Sequence, residues 1–515
     1  MKTILITGGA GFIGLHLCEK YLAEGHKVIC LDNLQTTTTN KNISRLFKNK
    51  NFSFIKHDIN QPIKFKEKFD WIFNLACSGS YTSYQYDPIH TIKTNTLGVI
   101  NILELARVNN ARVMQFSTSE IYGDPEVPAQ AETYNGNVNP LGPRACYDEG
   151  KRCAETLFMD YYREYGVDIK IIRIFNTYGL NMDINDGRAM TNFIVNALSG
   201  KDLEIYGHGS QTRSFQYIDD LVQGIDLMMK KKDFIGPVNL GNPEEITIKE
   251  LAEKVIGQVG SSSKIVRREK ATDDPKRRCP DIGLAKDKLG WQPRTSLADG
   301  LTKTIAYFKT LDLPEKRILA FTIRYFPDMG PAEQALFDLA RLMPDTEFHV
   351  VTARNKKELA KYEKIDNTHI YRLGRGGSSD KYILLLTGAF KARRLNKKYN
   401  FRFAWSVMSS YGALAAMMFK LFSKKVLLLF IFSKSEIRGR KTLRAKLANF
   451  IYKAVLKKAD SVFLSDVSLE RNLKLIEPDL DFTIKQADQR SFVNQVRYTY
   501  AKLINKQEKK LDRPK

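Results

Sequence analysis

Residues 1–14 constrain the fold more than any other part of the sequence. Residues 2–7 form a short apolar strand pattern, and Gly8, Gly11 and Gly14 follow it. Glycines without a Cβ let the backbone approach a pyrophosphate closely. Phe12 and Ile13 begin a helix pattern that continues to residue 23, and its N-terminus offers N–H donors to a phosphate. A strand, a glycine loop and a helix in this order predict a parallel α/β sheet that binds a dinucleotide.

The second strand pattern indicates which dinucleotide binds. Residues 27–31 are apolar and end at Asp32, which Asn33 follows. A carboxylate at this position accepts hydrogen bonds from the ribose hydroxyls of NAD and repels the extra phosphate of NADP. No Lys or Arg occurs between Asp32 and Lys41, which also favours NAD. The alternative is a glycine turn that serves only packing.

Three further strand patterns extend the predicted sheet. His57 and Asp58 close the third strand and Ile59 follows it. The fourth strand, at residues 71–76, contains Leu75 and Ala76. Residues 93–95 are expected to open a helix that continues to residue 107. The fifth strand, at residues 113–117, delivers Thr118 and Glu120 to its carboxyl end. Ligands of open parallel sheets bind at that edge.

Tyr147 and Lys151 are spaced for acid–base chemistry. On a helix, residues four apart lie on one face, one turn apart. A phenol normally has a pKa near ~10 and is a weak base at neutral pH. A neighbouring ammonium and a cationic nicotinamide ring would lower that pKa. We therefore predict that Tyr147 removes a proton from a sugar hydroxyl.

These motifs resemble a known family. Residues 1 to about 310 resemble the extended short-chain dehydrogenase/reductase superfamily and, within it, UDP-glucuronate decarboxylase (UDP-xylose synthase). Thr118-Ser119-Glu120 followed by Arg144-Ala145-Cys146-Tyr147 is typical of that branch. The stretches that carry the resemblance are residues 117–125, 139–151, 173–179, 185–188, 209–217 and 273–281.

The resemblance implies a role for each matching residue. Thr118 orients the 4-hydroxyl of the sugar, and Tyr147 takes the proton of that hydroxyl as hydride leaves C4 for NAD. Lys151 holds the ribose of the cofactor and lowers the Tyr147 pKa. Glu120 is the acid/base group near C5. The residues implied to bind the UDP-sugar are Lys93, Ser119, Asn176, Arg188, Arg213 and Arg278, and sequence alone could exchange Arg278 for Arg277. The residues implied to bind NAD are Gly8, Gly11, Phe12, Ile13, Gly14, Asp32, Asn33, Asp58, Ile59, Leu75, Ala76, Cys77, Thr94, Tyr147 and Lys151.

Some positions depart from the family pattern or favour a plain structural interpretation. Residues 78–81 read Ser-Gly-Ser-Tyr where the family usually reads Pro-Ala-Ser-Pro, and Leu180-Asn181 replaces Pro-Arg. Asp148 and Glu149 are expected on a solvated helix face. His57, His90 and His208 are expected to be structural or exposed.

The rest of the chain predicts a second α/β domain. Its net charge differs sharply from that of residues 1–315. Residues 316–515 carry 41 Lys and Arg against 19 Asp and Glu, a surplus of +22 out of the +24 of the whole chain, so residues 1–315 are close to neutral. The predicted strands are residues 317–322, 347–352, 401–407, 425–432 and 461–464. The predicted helices are residues 332–342, 411–422, 442–458 and one from residue 467. This part resembles the N-terminal half of B-type glycosyltransferases, without their donor-binding half.

We therefore predict an α/β chain: a Rossmann-type doubly wound parallel sheet with a small substrate-binding subdomain from about residue 180, within residues 1–313, followed by a Rossmann-like domain at residues 316–515. Six cysteines without metal-type spacing and no signal-peptide pattern favour a cytoplasmic protein with reduced thiols and no metal. The resemblance implies NAD-dependent decarboxylation of UDP-glucuronate and a homodimer. The alternatives are an epimerase, a dehydratase, a decarboxylase that releases the 4-keto sugar, or a scaffold. The basic half would recruit a glycosyltransferase partner or an acidic membrane surface, and no nucleic-acid motif is present.

Overall fold

A computed structural model gives the fold of this chain. It describes residues 1–35, 41–184, 186–269, 277–311, 317–343, 346–399, 401, 403–407, 411–423, 426–431, 454–464 and 482–484. The chain divides into two compact units, Met1–Leu313 and Pro314–Lys515. Each unit is described by itself below.

The first unit alternates strands and helices. Its strands are β1 (Thr3–Thr7), β2 (Lys27–Asp32), β3 (Phe52–Lys56), β4 (Trp71–Asn74), β5 (Arg112–Thr118), β6 (Ile169–Ile174), β7 (Thr177–Tyr178), β8 (Leu203–Tyr206), β9 (Thr212–Ser214), β10 (Gln216–Tyr217), β11 (Val238–Leu240), β12 (Glu245–Thr247) and β13 (Ile265–Arg268). Its helices are α1 (Phe12–Ala23), α2 (Lys41–Ser44), α3 (Tyr81–Tyr86), α4 (Pro88–Asn95), α5 (Leu97–Asn109), α6 (Ala145–Tyr165), α7 (Ala189–Leu198), α8 (Ile218–Lys230), α9 (Ile248–Val259), α10 (Gly283–Leu289) and α11 (Leu297–Lys309). Two short 3-10 turns occupy Arg45–Lys48 and Ser119–Tyr122.

A parallel sheet forms the centre of this unit. Among the described residues it has seven strands in the order β11-β6-β5-β4-β1-β2-β3. Its inner strands are continuous apolar runs, such as Ile4, Leu5 and Ile6, because helices cover both faces of a doubly wound sheet. The order reverses direction at β1, so the carboxyl ends of β1 and β4 flank a crevice. The predicted Rossmann-type fold is confirmed.

A smaller region follows β6. Three two-stranded sheets, β10-β7, β12-β9 and β13-β8, are combined with α7, α9 and α11. The segment that contains Pro280 returns toward the main sheet, where Pro280 pairs in an isolated bridge with Gln130, a residue between β5 and α6. This return brings Arg278 close to the carboxyl end of β5.

One predicted helix boundary was wrong. Residues 93–95 do not open the helix that continues to residue 107; they close α4, and α5 begins at Leu97. Thr96 separates the two helices because its backbone (φ −116°, ψ −80°) is not helical.

The second unit is also α/β. Its strands are β14 (Arg317–Phe321), β15 (Glu347–Ala353), β16 (Tyr362–Ile365), β17 (Thr368–Leu373), β18 (Phe403–Val407), β19 (Val426–Ile431), β20 (Ser461–Leu464) and β21 (Phe482–Ile484). Its helices are α12 (Pro331–Leu342), α13 (Asp380–Tyr399) and α14 (Tyr411–Ser423). Within the described ranges the strands form one sheet in the order β16-β17-β15-β14-β18-β19-β20-β21. Of these described strands, β16 alone is antiparallel to its neighbour.

Most of the predicted elements of this unit agree with the structure, but the hairpin β16–β17 and helix α13 were not predicted. Residues 454–458 are helical. The remainder of the predicted basic helix at 442–458 and the start of the predicted helix from residue 467 lie outside the described residues, as do residues 312–316. Among the described residues, no helix has the length and apolar character to cross a bilayer.

Candidate active site

The carboxyl end of β5 carries the first part of the site. Thr118 ends this strand, and its Oγ1 accepts a hydrogen bond from the Glu120 backbone N–H at 3.2 Å. This bond caps the 3-10 turn of Ser119–Tyr122 and fixes the backbone position of Glu120 relative to the end of β5. Thr118 and Ser119 are both buried. The Thr-Ser-Glu sequence therefore forms a local turn that points its polar groups into the strand-end crevice.

Helix α6 adds Tyr147 and Lys151 to the same place. Tyr147 is buried, and its phenol hydrogen bonds with the Thr118 side chain. Lys151 Nζ donates to the Phe116 carbonyl at 2.9 Å and lies 5.9 Å from the Tyr147 ring centroid. Tyr84 of α3 stacks on Tyr147, with ring centroids 5.1 Å apart and planes 8° from parallel. Stacking and hydrogen bonding together fix the direction of the phenol.

The expected lowering of the Tyr147 pKa is not a property of the protein groups alone. Burial raises the pKa of the phenol above its ordinary value, and the hydrogen bond from Thr118 opposes this only in part. Burial also lowers the pKa of Lys151, whose ammonium is held by the backbone carbonyl. A buried phenol resists ionisation unless a positive charge is close. The cationic nicotinamide ring would have to supply that charge.

Glu120 lies between two guanidinium groups. Its Oε2 accepts from Arg278 Nη2 at 2.5 Å and also from Arg144 Nη2. Burial opposes ionisation of Glu120, but Arg278 and Arg144 outweigh it, so the pKa of this carboxyl lies below its usual value. Arg213 contributes in the same direction. The site therefore holds a carboxylate that is only 14% exposed and lies between positively charged groups.

The structure also distinguishes the two adjacent arginines. Arg278 is buried and contacts Glu120, whereas Arg277 is more exposed and pairs with Glu245 at 2.8 Å. Sequence alone could exchange the two arginines, and Arg278 is the one that lies beside Glu120.

A buried network supports this end of the sheet from below. Glu155 of α6 accepts two hydrogen bonds from Arg173 of β6, at 3.0 and 2.7 Å, and one from Ser117 Oγ at 2.5 Å. Arg173 Nη1 donates to Tyr122 Oη at 3.0 Å, and Tyr122 donates to Asn239 at 2.8 Å. The network joins β5, β6, β11 and α6. It keeps the Thr118 turn and helix α6 in register.

The glycine loop has the close packing that a dinucleotide cradle needs. Gly8 has a φ of +66°, which favours glycine. A Cβ on Gly14 would lie 2.4 Å from the Gly8 carbonyl oxygen, so the start of α1 can press against the loop only without a side chain. Asp32 is buried and accepts from the Ala10 N–H at 3.1 Å and the Leu34 N–H at 2.7 Å. The loop, the helix N-terminus and the acidic residue fit an NAD molecule.

The other predicted cofactor residues follow β2, β3 or β4 or lie on α1, α4 or the glycine loop. Asp58 accepts hydrogen bonds from Asn33 at 2.9 Å and is 2.7 Å from His90 Nε2. His90 is thus structural, as expected. Thr94 receives a hydrogen bond from Asn60 at 3.2 Å and is buried. The remaining members lie at strand ends or at the start of α1, and they are Gly11, Phe12, Ile13, Ile59, Leu75, Ala76 and Cys77.

The predicted sugar-binding residues are more dispersed. Arg188, at the start of α7, donates to the Gly79 carbonyl at 3.3 Å, in the segment that departs from the family pattern. Arg213 is buried near Glu120. Asn176 is half-buried, and Lys93 is exposed on α4. The structure thus groups Ser119, Arg213 and Arg278 around Glu120, with Arg188 and Lys93 nearer the rim.

Sequence reasoning missed three residues of this site: Tyr84, Arg144 and Asp148. The prediction that Asp148 lies on a solvated face was wrong, because Asp148 is only 5% exposed. Burial and the neighbouring Glu120 raise its pKa to about 7, and Arg144 offsets part of that rise. The i, i+4 spacing of Arg144 and Asp148 was the available signal. Tyr84 had no sequence signal.

No metal site was predicted, yet the second unit brings together Glu347, His349 and His369. His349 and His369 are paired residues of β15 and β17, and their rings stack with planes only 5° apart. Arg317 already donates to Glu347 at 2.7 Å. Parallel rings direct their nitrogen lone pairs side by side and not at one point, and the guanidinium adds positive charge. This cluster is better described as cross-strand packing.

Comparison with known proteins places the first unit. Residues 5–304 match the model of the GDP-mannose 4,6 dehydratase family. The chain is 50% identical over 307 residues to UDP-glucuronic acid decarboxylase 1 of Danio rerio, covering 60% of this chain and 72% of that protein. It is 48% identical over 315 residues to UDP-glucuronic acid decarboxylase 6 of Arabidopsis thaliana, covering 61% of this chain and 91% of that protein.

Solved structures give the same result for the fold. A UDP-glucuronic acid 4-epimerase from Bacillus cereus, in complex with UDP-glucuronic acid and NAD, is 30% identical with a TM-score of 0.54, covering 60% of this chain and 99% of that one. A dTDP-glucose 4,6-dehydratase from Streptomyces venezuelae, with NAD bound, is 27% identical with a TM-score of 0.55, covering 60% and 97% of the two chains.

Proposed function

The chain belongs to the GDP-mannose 4,6-dehydratase family, and we propose that it is an NAD-dependent decarboxylase that converts UDP-glucuronate to UDP-xylose. One arrangement carries this proposal. A phenol suited to sugar oxidation and a carboxylate between two guanidinium groups lie at the end of the same strand, β5. The positive charge of Arg144, Arg213 and Arg278 suits a substrate that carries its own carboxylate.

The proposed roles begin with oxidation at C4. Thr118 holds the 4-hydroxyl through its side chain, and Tyr147 removes the proton from that hydroxyl. Lys151 holds the ribose and, with the glycine loop and Asp32, binds the cofactor. When bound, NAD accepts the hydride from C4 and later returns it, so no oxidant is consumed.

Oxidation prepares the loss of carbon dioxide. With C4 a ketone, the C6 carboxylate belongs to a β-keto acid, and Tyr147 and Thr118 hydrogen bond the oxygen on which the electrons collect as an enolate. Glu120 then delivers a proton to C5. Arg278 and Arg144 hold Glu120 in place, and Arg188, Arg213, Asn176, Ser119 and Lys93 are proposed to bind the UDP-sugar.

Product analysis tests this proposal. The protein is supplied with UDP-glucuronate and a catalytic amount of NAD, and the products are identified by mass spectrometry and NMR. UDP-xylose with an equal amount of carbon dioxide is the expected result. A 4-keto pentose or UDP-galacturonate would instead support a different ending of the same oxidation. Glu120→Gln should lower kcat about 10²–10⁴-fold. Asp160→Asn changes an exposed acid on α6 that pairs with Arg163, and it should leave kcat within about twofold of the parent.

We also propose that the first unit forms a homodimer through α5 and α6. These helices contact one another and expose the large apolar side chains of Leu97, Val108, Tyr162 and Tyr165. Burying such a face in a second copy would remove it from water. Sedimentation at micromolar concentration should give twice the mass of the chain, and Val108→Glu should give the single mass.

For the second unit we propose a role in association, based on its resemblance to half of a glycosyltransferase and on its charge of 41 Lys and Arg against 19 Asp and Glu in residues 316–515. It would bring the decarboxylase to a glycosyltransferase partner or to an acidic membrane surface in the cytoplasm. Binding of the full chain to vesicles that contain phosphatidylserine, and its loss at high salt, would support the membrane form. Unchanged decarboxylation together with lost association after deletion of residues 316–515 would support the scaffold role.

A further inference from the structure

Asp148 is a buried carboxyl that the proposed roles above do not use. It follows Tyr147 on α6 and is only 5% exposed. Its Oδ2 lies 3.8 Å from Arg144 Nε, whereas its Oδ1 is buried and has no hydrogen-bond partner among the described residues. A buried carboxylate oxygen without a partner is costly, and a protonated carboxyl avoids part of that cost. The location therefore favours a carboxyl that holds a proton.

Asp148 and Glu120 share one arginine. Arg144 contacts Glu120 through Nη2 and faces Asp148 through Nε, so both carboxyls approach the same guanidinium. The charged and titratable groups that act on Asp148 or respond to it are Glu120, Arg144, Arg278, Glu149, Tyr84 and Cys146. Tyr84 Oη and Arg278 Nε are also buried without a hydrogen-bond partner among the described residues. The surroundings of Glu120 and Asp148 thus contain three buried polar atoms, Asp148 Oδ1, Tyr84 Oη and Arg278 Nε, whose hydrogen-bonding capacity is unused among the described residues.

The proposed reaction needs a proton at this pocket. Decarboxylation replaces the C5–C6 bond by a C5–H bond, so a substrate carboxylate plus one proton becomes product plus carbon dioxide. Tyr147 cannot be the net source, because the proton that it takes from the 4-hydroxyl returns to that oxygen when C4 is reduced. Glu120, between two guanidinium groups, is ionised near neutral pH. One proton must therefore reach Glu120 in every turnover.

We propose that Asp148 is the proton store of the C5 site and supplies Glu120 with the proton that Glu120 gives to C5. This inference rests on the proposed decarboxylation. The Asp148 O–H bond breaks and its proton passes to the Glu120 carboxylate. The Glu120 O–H bond then breaks as the enolate electron pair forms the C5–H bond. Asp148 regains a proton from solvent, which balances the proton consumed overall. Burial and the Glu120 charge, which raise the pKa of Asp148 to about 7, make this store available at neutral pH.

Steady-state kinetics of Asp148→Asn test the proposal. C5 is protonated after carbon dioxide has left, so loss of the store should lower kcat by at least ~tenfold at pH 6.5 and leave kcat/KM within about twofold. Reduced nicotinamide should accumulate during turnover, seen by its absorbance. Asp160→Asn, an exposed acid on the same helix, is the control and should change neither constant. A parallel loss of kcat and kcat/KM, with no accumulation, would indicate a structural role and overturn the proposal.

The pH profile adds a measurement on the parent protein. Because the store works only when protonated, kcat of the parent should fall as pH rises beyond about 7, and this decline should disappear in Asp148→Asn. If Asp148→Asn does not fold, Asp148→Glu should retain the decline. A flat parental kcat from about pH 6 to 9 would overturn the proposal. Failure of the parent to form UDP-xylose would instead overturn the proposed function, so the two failures are distinguishable.

Discussion

The unusual environment of Asp148 makes a prediction about stability that is independent of activity. Asp148→Asn removes a carboxyl whose pKa is about 7 in the folded chain, against ~3.9 in an unfolded chain. Folding raises the pKa of Asp148, so as pH rises the unfolded chain releases this proton before the folded chain does. Between the two pKa values the free energy of unfolding therefore falls with pH, and above the folded pKa it falls no further. At 1.36 kcal/mol per pKa unit, the penalty approaches ~4 kcal/mol at pH 8 and is ~1.5 kcal/mol at pH 5.

The variant should therefore be stabilised relative to the parent, and more so at high pH. The gain should grow by ~2.5 kcal/mol between pH 5 and pH 8, which corresponds to ~5 °C in the Tm of a domain of this size. Thermal unfolding at the two pH values measures it, and the transition of the first unit is the one that shifts when NAD is added. Asp160→Asn is the control. An equal gain at both pH values, or a loss at pH 8, would refute the reasoning.

Two further predictions concern the residues around the site. Glu155→Gln should destabilise the first unit by ~3–5 kcal/mol, because it leaves the buried Arg173 without its charged partner. The midpoint of denaturant unfolding measures this change. A loss of stability below ~0.5 kcal/mol would contradict the hydrogen-bond network around Glu155. Arg278→Gln should raise KM for UDP-glucuronate ~tenfold or more. Arg277→Gln removes a more exposed ion pair with Glu245 and should leave this KM within about twofold of the parent. Equal effects of the two substitutions on KM would contradict the assignment of Arg278 as the substrate-binding arginine.

The parallel sheet and its glycine loop could be predicted because their signals are local. The apolar strand, Gly8 to Gly14 and Asp32 are adjacent in sequence, and the structure folds them as one unit. Thr118 and Glu120 were predictable for the same reason, as they follow an apolar strand. The break at Thr96 was not predictable, because the residues on both sides of it fit a single helix pattern.

The surroundings of Asp148 and Tyr147 depend on contacts far apart in sequence. Glu120 and Arg278 are separated by 158 positions, and only the return of the smaller region brings them together. A pattern within one helix could not show that position 148 is covered by these groups. The buried Tyr147 likewise has a raised pKa because of tertiary packing, which the spacing to Lys151 does not reveal.

The hairpin β16–β17 was missed for another reason. The burial of Tyr362–Ile365 alternates between exposed and half-buried positions, so this strand lacks the apolar run that identified its neighbours. It lies at the edge of the second sheet, where one side has no strand partner among the described residues. Edge strands carry weaker sequence signals than central ones.

The central claim is that the Tyr147 phenol starts a reversible oxidation of the sugar at C4. The most direct test is the single-turnover rate at which Tyr147→Phe, with NAD, releases carbon dioxide from UDP-glucuronate. Phenylalanine keeps the ring that stacks on Tyr84 and removes only the hydroxyl. The account predicts a rate at least ~10²–10⁴-fold below the parent, with no accumulation of reduced nicotinamide, while Tyr162→Phe on the exposed face of α6 behaves like the parent. Carbon dioxide release by Tyr147→Phe at the parental rate would contradict it.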